Sequence, residues 1–404
     1  MTVRRPAARL PVLAACALAA LVLAACGGGP SAQRTAAQTR PASPTSRTSP
    51  APSPTAQSAA PTPTPSASAD PVAGMSLEQK IGQLMMVGVT GANLPAPTAQ
   101  AFTRYRFGSV VLTDGNDNGG SPAAARQLVQ SIRNAEGPGP LPMLTTNQEG
   151  GTVCFRTSGM RCPPGQHEQG ATGSAQVVTD DTTAMAQDLK GLGFSSGLAP
   201  DADVWDGTSP FMADRSYGTD PAAVSRLVTS SVAADHAQGE LAVAKHFPGH
   251  GSAGDSHQYL PTVQHNLATL QQVDLPPFRA AVQAGADMIM TGHLLVPALD
   301  PNLPTSLSPR AMALVRQTLG YQGVLITDDL SMQAITDHFG VQQAALLALQ
   351  AGEDVVMYSG SMDVAVQTLG FLVSAVQQGK LSQAQVDESV HRVLALKARS
   401  GLAD

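Results

Sequence analysis

Short runs of apolar residues recur along the chain, and each ends in a polar or glycine-rich cluster. They lie at 84–89, 109–112, 142–145, 193–199, 241–244, 286–290, 324–326 and 354–357. Runs of this length, bounded by turn residues, predict buried strands. Stretches of helical composition lie between or after them, at 123–133, 182–191, 222–238, 272–284, 309–319, 341–351 and 363–378. Strands alternating with helices pair in parallel through crossover units. Eight such repeats predict an α/β fold, a single (β/α)8 TIM-like barrel, with a doubly wound sheet as the alternative.

The pattern is different at the N-terminus. Residues 10–25 carry no charge, follow Arg4, Arg5 and Arg9, and run into Cys26. A basic start, a short apolar stretch and small residues before a break describe an export signal, too short for a comfortable membrane span. The segment Leu23-Ala24-Ala25-Cys26-Gly27 resembles the bacterial lipobox, which implies cleavage after Ala25 and lipidation of Cys26. The plainer alternative is a signal peptide with an incidental cysteine. Pro, Ser, Thr and Ala then fill nearly all of 30–71, a composition that buries no core and predicts a disordered tether. The chain therefore divides into a signal at 1–25, a lipidated cysteine with its linker at 26–70, and one folded domain at 71–404. This division predicts an extracytoplasmic monomer anchored to the outer face of the cell membrane.

Composition sharpens the reading of the folded part. The 404 residues are 43% hydrophobic and 13% charged, with a net charge of −6. Removing the three leader arginines makes that charge more negative, and Arg34, Arg40 and Arg47 of the tether leave the domain more acidic still. Phosphate binding needs clustered Lys and Arg, so nucleic acid is excluded as a partner. Cys16 falls in the leader. Cys154 and Cys162 remain, in CFRTSGMRC, and outside the membrane two thiols at that spacing predict a small disulfide loop rather than a metal pair.

Active sites of barrels gather at the C-terminal ends of the strands. Just after the apolar runs stand Asn147-Gln148-Glu149, Asp201-Ala202-Asp203, Lys245-His246, His293, Asp328-Asp329 and Tyr358. The densest segment is Lys245-His246-Phe247-Pro248-Gly249-His250-Gly251, with Asp255-Ser256-His257 close behind. Three histidines and an acid so near one another suit zinc; the glycines and proline between them suit a mobile loop instead. In the latter reading Asp255 fixes the tautomer of His257, and the pair shuttles protons near neutral pH. A second cluster, Gly323-Val324-Leu325-Ile326-Thr327-Asp328-Asp329-Leu330-Ser331-Met332, ends a buried strand in two acids. One carboxylate there can act as a nucleophile toward an electrophilic carbon. The structural alternative is that Asp329 or Ser331 caps the next helix.

Together, KHFPGHG with DSH and GVLITDDLSM resemble the signature segments of glycoside hydrolase family 3, in its bacterial β-N-acetylglucosaminidase branch. EQKIGQLMMVG, QEGG and DRSYGTDP support the resemblance, which covers nearly all of residues 75–400. It implies a barrel that hydrolyses terminal β-linked N-acetylhexosamine from amino-sugar glycans such as peptidoglycan fragments, without a cofactor or a metal. Asp328 then matches the nucleophile, His257 the acid/base and Asp255 its dyad partner. Lys245, His246 and Arg215 match residues that bind the sugar. The implied reaction is double displacement with retention, a histidine standing where most glycosidases place a second carboxylic acid.

One segment departs from the family. The usual Asp-Gln-Glu-Gly-Gly-Arg-Val reads Asn147-Gln148-Glu149-Gly150-Gly151-Thr152-Val153 here. Asn147 keeps the capacity to bind a sugar hydroxyl but gives up a charge-assisted bond, roughly twice as strong as a neutral one. Thr152 replaces an arginine, and Arg156 is the nearest candidate for a second one. The departure leaves open a changed sugar preference, a weakened or inactive glycan-binding lipoprotein, and a phosphorylase. Trp205 is a candidate to stack on a sugar or to pack internally.

Overall fold

The structure is a computed structural model that describes residues 70–403, except 119, 138, 157 and 158. The export signal, Cys26 and most of the tether lie outside the described residues. Seven parallel strands form one sheet: β1 Met85–Gly88, β2 Ser109–Val111, β3 Met143–Thr145, β4 Val243–Phe247, β5 Met288–Thr291, β6 Val324–Asp329 and β7 Val355–Tyr358. Their order is β3-β2-β1-β7-β6-β5-β4, so β3 and β4 are the two edges.

The expected eighth strand at 193–199 does not form a regular strand. The chain there is pinned to both edges by single bonds. Ser195 N donates to Leu144 O (2.7 Å) and Gln148 N to Gly197 O (2.9 Å) on the β3 side. On the β4 side, Leu241 N donates to Ser195 O (2.8 Å), Val243 N to Ala199 O (2.7 Å) and Ala202 N to Lys245 O (2.6 Å). Pro200, which has no N–H, interrupts this stretch and limits its ladder.

Helices cover the outside, and their ends follow the local chemistry. Pro221–Gln238 starts on an Asp220 cap with Pro221 in its first turn and stops at Gly239 in the left-handed conformation. Ala175–Leu192 starts on Ser174 and stops at Gly193 in the same way. The sequence pattern places the start of the second helix at 182, seven residues past its first residue Ala175. Helices Leu77–Gln83, Ala96–Tyr105 and Gln383–Arg399 are absent from the sequence reading.

Alternation along the strands separates two cores. Ala242, Ala244, Ile289 and Leu325 cluster with Val224, Leu227, Val228 and Phe278 of the flanking helices. Val243, Met288, Met290, Val324 and Ile326 belong to the other cluster, with β1, β2, β3 and β7. Residues one apart on a strand face opposite sides, so period two assigns each to its layer. Met85, Met86, Met288 and Met290 are buried, as expected.

Candidate active site

Residues at the C-terminal ends of β2, β4, β5, β6 and β7, with Asn147 and Glu149 just past β3, line one cavity of about 500 Å³. That lies within the range of roughly 300–1,000 Å³ for small-molecule sites. Asp328, His257, Lys245, His246, Arg215 and Asn147 all face it. Asp255 supports His257 from behind, its Oδ1 2.8 Å from His257 Nδ1.

Two strands bend their rules to reach this cavity. Side chains at consecutive strand positions normally point to opposite faces, yet Lys245 and His246 both line it, as do Asp328 and Asp329. In each case the pairing register shifts at that point, between Ala244 and Phe247 on β4 and between Ile326 and Asp329 on β6. Such irregularities re-aim side chains and recur beside active sites.

The cavity floor is a buried ion network. Glu149 accepts two bonds from Arg215, Nε to Oε2 and Nη2 to Oε1, both 2.8 Å, and lies 2.5 Å from Lys245 Nζ. Burial alone pushes a carboxyl up, but the two cations hold Glu149 well below the usual carboxylate range. Arg215 Nε also lies 3.2 Å from Asp201 Oδ2, outside hydrogen-bond alignment. Burial, with the Glu149 charge added and Arg215 opposing, pushes Asp201 up to about 7.

Asp203 organises the next layer. It accepts from the backbone N–H of His246 (3.1 Å) and of His250 (2.6 Å), and its Oδ2 is 2.9 Å from His246 Nδ1. Burial lowers the His246 pKa and Asp203 more than offsets it. The 3.4 Å contact of Arg215 Nη2 with His246 Nε2 fits a lone pair on Nε2 and the proton on Nδ1. His250 is buried with neither ring nitrogen bonded, and burial lowers it to about 3.

The segment carrying His257 is docked on its surroundings. Ala334 N donates to Ser256 O (3.2 Å), and Gln333, with its amide turned to donate, reaches His257 O (3.2 Å) and Gln258 O (3.1 Å). Gly251 packs so close to Val204 O that a Cβ there would overlap it. Phe211 links three site residues: its ring centroid is 5.1 Å from that of His250 and 5.7 Å from that of His257, with the Arg215 guanidinium 4.8 Å away. On the opposite strand, Asp329 accepts from Ser331 N (2.9 Å), Ser359 N (3.1 Å) and the Ser359 hydroxyl. It ties the loops after β6 and β7 together and does not cap a helix; Asp328 faces the cavity with its Oδ1 accepting from Asp329 N (2.8 Å).

Other expectations change. Arg156 is not gathered with Asp328. Its backbone N–H is bound by Asp114 (2.9 Å) beside the Cys154–Cys162 disulfide, and it lines a neighbouring cavity. Trp205 packs rather than lining the main cavity: Nε1 donates to Ser209 O (2.8 Å) and its ring meets His167 edge-on. His293 is buried and satisfied, Nδ1 on Ser306 Oγ (2.7 Å) and Nε2 on Asp329 O (3.0 Å). Among the described residues, the group close enough to chelate is Asp201, Asp203 and His246, not the His250, His257 and Asp255 of the zinc alternative. In that trio His246 and Asp203 are already bonded to each other, and Arg215 lies against Asp201.

The sequence reading puts Glu149, Asp201 and Asp203 after the apolar runs without giving them a role, and it does not place Phe211 in the site. Glu149 stands two positions past Asn147 on the same side of an extended segment, and that parity was the available signal. Phe211 carried no such signal.

Two stability measurements follow. Glu149→Gln strands Arg215 and Lys245 without their shared anion and is expected to cost about 3–5 kcal/mol in urea unfolding at neutral pH. Asp328 is held at about 2, since the histidines around it outweigh burial. A depressed carboxyl contributes stability above its unfolded pKa and loses it as pH falls through the folded value. Wild-type protein is therefore expected to lose on the order of 2 kcal/mol more than Asp328→Asn between about pH 4 and 2, read as the difference between their acid-unfolding slopes.

The chain matches the Glycosyl hydrolase family 3 N terminal domain over residues 76–396. It is 34% identical over 400 residues to "Beta-hexosaminidase LpqI" of Mycobacterium tuberculosis, spanning 95% of this chain and 96% of that one. A beta-hexosaminidase of Nitrosomonas eutropha is 30% identical over 77% of this chain and 91% of its own length. Among solved structures, a glycoside hydrolase family 3 β-N-acetylglucosaminidase from Paenibacillus superposes with a TM-score of 0.78 at 35% identity. That alignment covers 81% of this chain, which spans 63% of the longer Paenibacillus protein. A β-N-acetylhexosaminidase from Beutenbergia cavernae gives a TM-score of 0.73 at 30% identity, covering 81% of this chain and 99% of that one. A domain match of that extent, joined to relatives of 30% identity or more over most of the chain, makes this protein a member of glycosyl hydrolase family 3 and a glycosidase.

Proposed function

We propose that this chain is a retaining β-N-acetylhexosaminidase that removes terminal β-linked N-acetylglucosamine from cell-wall fragments. One observation carries the reading: Asp328 and His257 face the same cavity from different strand ends, with Lys245, His246 and Arg215 on its wall. Asp328, kept ionised, attacks the anomeric carbon. His257, oriented by Asp255, gives its proton to the leaving oxygen and then takes one from the incoming water. Lys245, His246 and Arg215 hold the sugar hydroxyls, and the Glu149 and Asp203 carboxylates hold those three side chains in place. Under this reading the seven strands and the bonded segment between β3 and β4 act as one closed barrel, its mouth the active site.

The names of the relatives support the substrate class, and the cavity is lined by groups that bind hydroxyls. The N-terminal sequence supports the location: a Cys26 lipid anchor and a Pro/Ser/Thr/Ala tether that lets a monomeric domain work within the cell wall.

The activity test is release of the chromophore from an aryl N-acetyl-β-glucosaminide by the purified protein, with the first-formed sugar showing the β anomer by NMR. Asp328→Ala is expected to lower kcat by about 10³-fold or more; turnover within tenfold of wild type removes Asp328 as the nucleophile. For the anchor, expression of the full chain with Cys26→Ser is expected to move the protein from the membrane fraction to the medium. An unchanged membrane fraction with Cys26→Ser overturns lipid anchoring.

A further inference from the structure

Beside the main cavity lies a second one of about 280 Å³ that nothing in the proposed reaction uses. The two share a wall made of Thr113, Asn147 and Val153. Their other boundaries differ. The main cavity continues from that wall toward His257 and Gln333, while the second runs the opposite way, under Thr146, Thr152 and the disulfide loop.

The proposed reaction gives this placement a direction. His257 protonates the leaving oxygen, so the His257 end is where the leaving group sits. Thr113, Asn147 and Val153 therefore stand at the far end of the reacting sugar, away from its anomeric carbon. A group entering the second cavity is attached to that far end.

The second cavity is built to bind a polar ligand. Thr146 is 1% exposed, lines the cavity, and its hydroxyl has no hydrogen-bond partner. A buried hydroxyl left unpaired costs free energy that a ligand hydroxyl recovers once the Thr146 side chain turns toward this space. Asn147 is exposed on the shared wall, and among the described residues its side-chain amide makes no hydrogen bond to the protein. Its neutral amide both donates and accepts, which suits an ether oxygen as well as a hydroxyl. The rim is fixed. Asp214 Oδ2 accepts from Thr152 N (2.7 Å), Asp114 accepts from Arg156 N (2.9 Å), and the Cys154–Cys162 bridge closes the loop. At Thr152 a short side chain leaves this space open.

We propose that this cavity is a second sugar-binding subsite on the glycone side. It takes a β-linked amino sugar joined to the far end of the reacting one, so that the protein releases a disaccharide as well as single sugars. The inference rests on the assignment of His257 as the acid/base.

The test compares aryl N-acetyl-β-glucosaminide with aryl β-diacetylchitobioside, following first products by mass spectrometry. Intact diacetylchitobiose, appearing together with the chromophore, is expected from the second substrate. N-acetylglucosamine first, with the chromophore after a lag, overturns the subsite while leaving the hydrolase reading intact. Thr146→Val keeps the shape and removes the unpartnered hydroxyl. It is expected to lower kcat/KM for the chitobioside roughly threefold to tenfold, the value of one neutral hydrogen bond, with the monosaccharide substrate unchanged. Thr152→Trp fills the cavity and is expected to abolish disaccharide release alone; equal losses on both substrates count against the subsite. If neither substrate turns over, the hydrolase reading fails, and calorimetry on the intact protein decides the subsite separately. Diacetylchitobiose binding at least tenfold more tightly than N-acetylglucosamine, weakened by Thr146→Val, supports it; equal affinities overturn it.

Discussion

The site hangs on one buried carboxylate. Glu149 sits just past β3 and holds Arg215 from the loop that follows the irregular segment and Lys245 from β4. Two cations brought into a low-dielectric floor demand an anion, and one removed from water so fully demands cations in return. Asp201, beside the same arginine, is pushed up by burial, whereas the two cations keep Glu149 ionised. Three parts of the chain that share no ladder are thus held together by charge at the point where β3 and β4 fail to pair directly.

That arrangement frees the groups above it for chemistry. Lys245 and His246 can both face the cavity because β4 loses register at that point, and Asp328 and Asp329 do so on β6 for the same reason. A regular strand would have sent one of each pair into the helix layer. With two shifts, the fold exposes a carboxylate while its neighbour bonds the loops after β6 and β7, and it presents a lysine beside a histidine whose ring is set by Asp203. Phe211 adds an apolar contact between the Arg215 floor and the His257 loop, which couples those two sides of the cavity through packing.

The least family-like stretch of the chain lies at the other end of the cavity. Asn147 and Thr152 stand neutral in this stretch, and beside them lies a space that Asp114, Arg156 and Cys154 of the disulfide help to line. Loss of charge at Asn147 reads in isolation as a weakened site. Seen with the adjoining cavity and the unpaired Thr146 hydroxyl, it reads as a change in what the site accepts.

Much of this was legible in the chain itself. Apolar runs of strand length, helices between them and ionisable residues after the runs are local properties, and they fix the layer architecture and the end of the sheet where chemistry belongs. The signature segments around Lys245 and Asp328 carry the family. Other features depended on tertiary structure. The segment at 193–199 has strand composition but forms only single bonds to its neighbours, and Pro200, which lacks an N–H, limits its ladder. Arg156 lines the second cavity and not the one that holds Asp328, with its backbone N–H bound by Asp114. Glu149, Asp203 and Phe211 acquire their roles from partners that the fold brings to them, as far along the chain as Lys245 is from Glu149, and the second cavity exists only where the segments after β2 and β3 meet. Pattern along a chain records which face a residue prefers; which groups meet across that face is set by how the strands close on one another.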